Sequence, residues 1–282
     1  MSDHTKATYE RSLKILRKAI GVEDGIEFLK DSGKVMDWIS SSKYATNSRK
    51  VFYIAIVSTL KTAGLFPEAL AAYKSKMDEL NHTVATAAED QVLTPEEAEK
   101  FVEWPKILEV LPKLEAEVSD LESLQDYLIA SLYTLMPPVR LDYAEMKIVS
   151  AEPEKPDTNY LIMTKKPYFL LTQYKTARKY GATRLLIPKE LLTVINEWLS
   201  MNNSEDFLIS PNSNKPMPPW ELGKTVTRVF KKHLGKDVGV NVLRHSYITW
   251  MRKDEMKIKT SADLSKSMLH SVGMSHMYRR TD

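Results

Sequence analysis

Apolar positions in the first 80 residues recur with the three-to-four spacing of helix faces. Leu13, Leu16 and Ile20 share one face of a helix over 6–20, which Gly21 ends. Short helices are predicted at 24–31 and 34–40. The run VFYIAIVSTL is the buried part of a stronger helix over 46–63, with Thr46 or Asn47 as its cap and Gly64 as its stop. Another helix runs from Pro67 to Leu80. Residues 81–93 lose the period and read as a linker, placed at 86–93 for the domain division. Thr94 then caps a new helix, with Pro95 in its first turn and Glu96 and Glu97 complementing the dipole. An apolar helix over 120–135 is stopped by Pro137 and Pro138.

From 145 to 188 the period changes to two. This predicts strands near 145–149, 160–164, 168–174 and 183–188, with turns at Lys165-Lys166-Pro167 and at Thr176 to Ala182. Helices return at 189–201, 219–234, 241–253 and 261–269. The expected fold class is therefore mainly α with a small antiparallel β-sheet (α+β). An all-helical domain spans 1–85, and a helix-rich domain containing the sheet spans 94–282.

Composition narrows the class. With 43% hydrophobic and 27% charged residues, the chain has an ordinary globular composition. No run approaches the roughly 20 apolar residues that a membrane span needs, and MSDHTKATYERS has no signal-peptide core. The absence of cysteine excludes disulfides and thiolate metal sites. The six histidines show no metal-ligand spacing.

The net charge of +3 is modest, but its distribution is uneven. Residues 89–126 hold twelve acids and three bases. Residues 165–184 hold six bases and no acid, and 222–259 hold ten bases and three acids. Such basic stretches suit phosphate-backbone binding, although a solvated charged surface has the same composition.

Four segments carry candidate chemistry. They are Pro137-Pro138-Val139-Arg140-Leu141-Asp142; Tyr174-Lys175-Thr176 at a hairpin end; Asn241-Val242-Leu243-Arg244-His245-Ser246-Tyr247; and Met268-Leu269-His270-Ser271 with Tyr278 eight residues after the histidine. Taken singly, each residue has a structural reading. Arg140 could neutralise a helix end, Lys175 is an ordinary surface lysine, Arg244 could pair with Asp142 or Glu145, and Tyr278 could be a docking aromatic.

Their joint order resembles the tyrosine recombinase, or phage integrase-like, family over roughly 94–282. Details such as PPVRLDY, LRHSYIT and MLHS before YRR look closest to the integrase-like proteins of large DNA viruses of eukaryotes. The resemblance implies an N-terminal core-binding domain, a catalytic domain and site-specific cleavage and rejoining of DNA strands through a covalent 3′-phosphotyrosyl intermediate. It implies Tyr278 as nucleophile and Lys175 as donor of a proton to the departing 5′-oxygen. Arg140, Arg244, His270 and Asn241 would act on the phosphate, with His245 supporting them. It implies no metal or other cofactor. Double-stranded DNA is the expected partner, with a homotetramer on DNA and a monomer when free. Lys43, Arg49, Lys50, Lys165, Lys166, Arg178, Lys179, Lys231 and Lys232 are the expected DNA contacts. The related chemistry of type IB topoisomerases, and a catalytically inactive DNA-binding protein, are the alternatives. Nothing in the sequence assigns a cellular location.

Three departures from the family pattern matter. Asn241 stands where the family usually has His or Lys, and asparagine cannot donate and reclaim a proton at neutral pH. Leu269 replaces the glycine usual before the histidine, and the interval from His270 to Tyr278 is one residue short. His276 is a second candidate for the histidine's role. Only four residues follow Tyr278, which leaves little chain for docking on a neighbouring protomer.

Overall fold

A computed structural model describes residues 3–89, 95–251 and 268–269. The chain divides into two compact units, Met1–Asp90 and Gln91–Asp282.

The first unit is helical. It contains α1 (Asp3–Ile20), a 3-10 turn (Glu27–Lys30), α2 (Ser32–Ser41), α3 (Thr46–Ala63) and α4 (Pro67–Glu89). Leu16, Leu29, Ile39, Ile56 and Leu60 are fully buried in its core. Tyr73 joins them and donates its hydroxyl to the Leu29 carbonyl at 3.0 Å.

Two details differ from expectation here. The N-cap of α3 is Ala45, which has no capping side chain, rather than Thr46 or Asn47. Helix α4 continues to Glu89, through residues read as linker. The stretch NHTVATAAE lacks an apolar period but also lacks Gly and Pro, and its alanines favour helix. Gly64 does close α3. Its left-handed φ of 67° brings its N–H to the Leu60 carbonyl.

The second unit contains α5 (Pro95–Lys100), α6 (Trp104–Leu108), α7 (Val110–Ala116) and α8 (Leu121–Thr134), followed by the sheet and later helices. Helix α8 is the central element, buried on nearly every face from Leu124 to Thr134. Asp120 starts it through a reciprocal cap: its carboxylate accepts from the Ser123 N–H, and the Ser123 hydroxyl returns to the Asp120 N–H. Helices α10 (Lys189–Met201) and α11 (Pro219–Leu234) pack on it.

The sheet consists of β1 (Lys147–Val149), β2 (Tyr160–Ile162), β3 (Tyr168–Leu171) and β4 (Thr183–Leu186), in that order. The expected class holds, mainly helical with a small sheet. One pairing corrects the antiparallel expectation: β1 and β2 run parallel. The ten residues between them carry the chain back to the same end before β2 begins. Helix α9 (Ala177–Tyr180) lies within the β3–β4 connection. Strand β3 ends earlier than predicted because the N–H groups of Thr172 and Gln173 donate to the side chain of Asn159, not to a neighbouring strand.

The last described helix is α12 (Val240–Met251). Of the helix expected at 261–269, Met268 and Leu269 form a turn and the rest lies outside the described residues.

Candidate active site

The first element of the site is the chain leaving α8. Pro137 and Pro138 prevent the helix from continuing, and Arg140 follows. The Tyr133 hydroxyl, at the end of α8, donates to the Arg140 carbonyl at 2.7 Å. Complete burial pushes the Tyr133 phenol well above its ordinary value, which keeps it a donor. The Arg140 N–H donates to the Asp142 carboxylate at 3.1 Å. Burial raises the Asp142 carboxyl, partly opposed by that N–H and by the Arg140 and Arg244 guanidiniums. The half-buried Arg140 side chain points to the Leu269 carbonyl, with Nη1 at 3.3 Å.

Arg244 stands on the inner face of α12, between the buried Leu243 and Ser246, and is itself fully buried. A guanidinium out of water needs acceptors. Nη1 donates to the Pro138 carbonyl at 2.6 Å, and both Nη1 and Nη2 reach the Met268 carbonyl at 3.3 Å. Arg244 thus joins α12, the segment before Arg140 and the segment before His270. The sequence also allowed a pair with Asp142, and the Arg244 charge does act to lower that carboxyl.

The β3–β4 connection supplies Lys175, which is exposed. Its neighbours are fixed. The Tyr174 hydroxyl donates to the Gly181 carbonyl at 2.7 Å. Thr176 donates to the Leu269 carbonyl at 3.0 Å. That oxygen therefore receives both the Arg140 guanidinium and the hydroxyl beside Lys175.

Leu269 is held at φ 55°, a left-handed conformation that costs a side chain about 1–2 kcal/mol. Its own side chain is 3% exposed, and burying a leucine returns about 1.5–3 kcal/mol. A position that would suit glycine therefore holds leucine, and its carbonyl faces two donors.

Asn241 is exposed at the start of α12 and, with Arg140, Thr227 and Asp237, lines a cleft of ≈ 490 Å³. His245 is half-buried beside Arg244. His270, His276 and Tyr278 lie outside the described residues.

The expected DNA contacts fall into different environments. Lys43, Lys165, Lys166, Arg178 and Lys179 are exposed, and Lys50 is half-buried. Arg49 donates to the Ser42 carbonyl at 2.6 Å. Lys231 pairs with Asp237 at 2.8 Å and Lys232 with Glu117 at 2.7 Å. Exposed pairs of this kind are weak and readily exchanged for a phosphate.

Two residues of the site were not anticipated. Thr176 had a signal, its place beside Lys175. Asn159 had none, because its contacts are with segments distant in sequence.

No family model and no curated protein matches the chain. Among solved structures, it is similar to a crystal structure of XerA recombinase, with a TM-score of 0.48 and 14% identity over 100% of this chain and 89% of that one. It is also similar to XerH site-specific recombinase bound to difH substrate in a pre-cleavage complex. There the TM-score is 0.47 and the identity 14%, over 88% of this chain and 73% of that one.

Proposed function

We propose that this chain is a site-specific DNA recombinase that cleaves and rejoins strands through a 3′-phosphotyrosyl intermediate. The observation that carries the reading is the convergence of Arg140, Arg244 and the Lys175 hairpin on residues 268–269, immediately before His270. A phosphate oxygen is an acceptor like the Leu269 and Met268 carbonyls but carries more negative charge. Donors that gather around those carbonyls suit a scissile phosphate nearby.

The Tyr278 phenolic oxygen gives up its proton to solvent as it attacks phosphorus, and the bond to the 5′-oxygen breaks. Lys175 transfers a proton to that oxygen as it leaves. Arg140 and Arg244 hold the non-bridging oxygens, where extra charge develops, with His270 and Asn241 adding hydrogen bonds and His245 supporting them. One preorganised oxyanion donor is worth about 3 kcal/mol. The phosphotyrosyl bond conserves the energy of the original phosphodiester, so a 5′-hydroxyl from another strand can reverse the step.

Residues 1–85 act as the DNA-binding domain, through Lys43, Arg49 and Lys50, and residues 94–282 as the catalytic domain. Lys165, Lys166, Arg178, Lys179, Lys231 and Lys232 contact phosphates, giving affinity that falls steeply with salt. The protein acts as a tetramer on duplex DNA.

The test begins with pulldown and sequencing of bound DNA. Two duplexes carrying the recovered site are then incubated with the protein. Exchange of strands between them supports a recombinase. Relaxation of a supercoiled plasmid without exchange supports topoisomerase chemistry instead, and binding without cleavage supports an inactive DNA-binding protein.

A further inference from the structure

We infer that Asn159 is a positioning residue for proton donation by Lys175, tying the Lys175 hairpin to the segment that carries Arg140. The inference rests on the strand-cleavage reading above.

Asn159 immediately precedes β2 and is 4% exposed. Its side chain uses both donors and its oxygen accepts twice. Nδ2 donates to the Asp142 carbonyl at 2.8 Å and to the Gln173 carbonyl at 3.0 Å. Oδ1 accepts from the N–H of Thr172 at 2.9 Å and of Gln173 at 2.8 Å. Its backbone carbonyl also accepts from the Lys147 N–H, which fixes it to the sheet.

Only a primary amide offers two donors and two acceptor sites on so short a stem. Aspartate would set an oxygen against two carbonyls, and leucine would leave four backbone groups unsatisfied. One end of the amide's span lies two residues after Arg140, and the other lies two residues before Lys175. The hairpin is fixed on either side of Lys175 by Tyr174 and Thr176. Asn159 sets its depth relative to the arginine. This matters for Lys175 above all, because Lys175 is exposed.

The test compares adduct formation on two nicked duplexes of the recovered site. One has an ordinary scissile phosphate and the other a 5′-bridging sulfur. A 5′-thiolate leaves without a proton, so loss of proton donation slows only the oxygen substrate. Asn159→Ala should slow adduct formation on oxygen by about 10²-fold, the scale of a misplacement near 1 Å. It should approach the wild-type rate on sulfur, with DNA affinity unchanged. The double variant with Lys175→Ala should be no slower than Lys175→Ala alone.

Asn159→Asp provides a second route if the alanine variant fails to fold. It keeps the acceptor for the Thr172 and Gln173 N–H groups and loses the donors to the Asp142 and Gln173 carbonyls, so the link to the Arg140 segment is broken while the hairpin keeps two of its bonds. Its defect should show the same rescue by sulfur. Equal slowing on both substrates, or wild-type rates in both variants, overturns the inference alone. A wild-type protein that forms no adduct on either substrate overturns the strand-cleavage reading and this inference with it.

Discussion

The Thr176 hydroxyl donates to the Leu269 carbonyl at 3.0 Å, across 93 positions of sequence. This contact places the residue after Lys175 against the residue before His270. Removing it should uncouple the two. Thr176→Val keeps the shape and loses about 1 kcal/mol of hydrogen bonding. Adduct formation on a nicked duplex should slow by about tenfold, and Thr176→Ser should recover most of it. An unchanged Thr176→Val rate would mean that this contact does not help place Lys175.

Arg244 combines a structural and a chemical role. Its guanidinium serves the Pro138 and Met268 carbonyls from a fully buried position. Lysine brings a single charged centre and cannot span both. Arg244→Lys should lower unfolding stability by about 1.5–3 kcal/mol, as measured by denaturant titration. Its cleavage rate, measured where the variant is folded, should fall by about 10²–10³-fold.

Leu269 sets two effects against each other. Leu269→Gly relieves left-handed backbone strain of about 1–2 kcal/mol. It also removes a buried side chain, and truncations of that kind cost about 2–5 kcal/mol. Burial is the larger effect, so the variant should be less stable by about 1–3 kcal/mol in thermal unfolding. A more stable variant would show that backbone strain dominates.

Asp142 makes stability depend on pH. Burial raises its folded-state carboxyl above the ordinary value of 3.8, so the folded chain holds this proton more tightly than the unfolded chain. The resulting stability is fully present below the unfolded value and is lost as pH rises through the folded value. Asp142→Asn has no such titration. The melting temperature of the wild type relative to Asp142→Asn should therefore decline as pH rises from about 3 to about 7. A difference that is flat, or that grows with pH, would contradict this environment for Asp142.

What could be read from the sequence was what is local. The apolar run of α3 and its Gly64 stop, the double proline after α8, and the period-two stretch each follow from neighbouring residues, and the structure has elements there. The order of Arg140, Lys175 and Arg244 was likewise legible from short motifs. The parallel pairing of β1 with β2 was not, because alternation of apolar residues specifies a face and carries no direction. The extension of α4 through residues 81–89 was hidden because an alanine-rich stretch has no apolar period to detect. Asn159 was hidden for a different reason. Its partners lie 13 to 17 positions away, and a lone asparagine before a strand most often marks a turn.

The central claim is that Tyr278 is the nucleophile. The most direct measurement is denaturing electrophoresis of the protein after incubation with a nicked duplex of the recovered site, with wild type and Tyr278→Phe side by side. The wild type should form a covalent protein–DNA species that survives denaturation, and Tyr278→Phe should form none while binding the duplex equally well. An adduct that persists in Tyr278→Phe, or a wild type that binds the site and never becomes linked to it, would contradict the account.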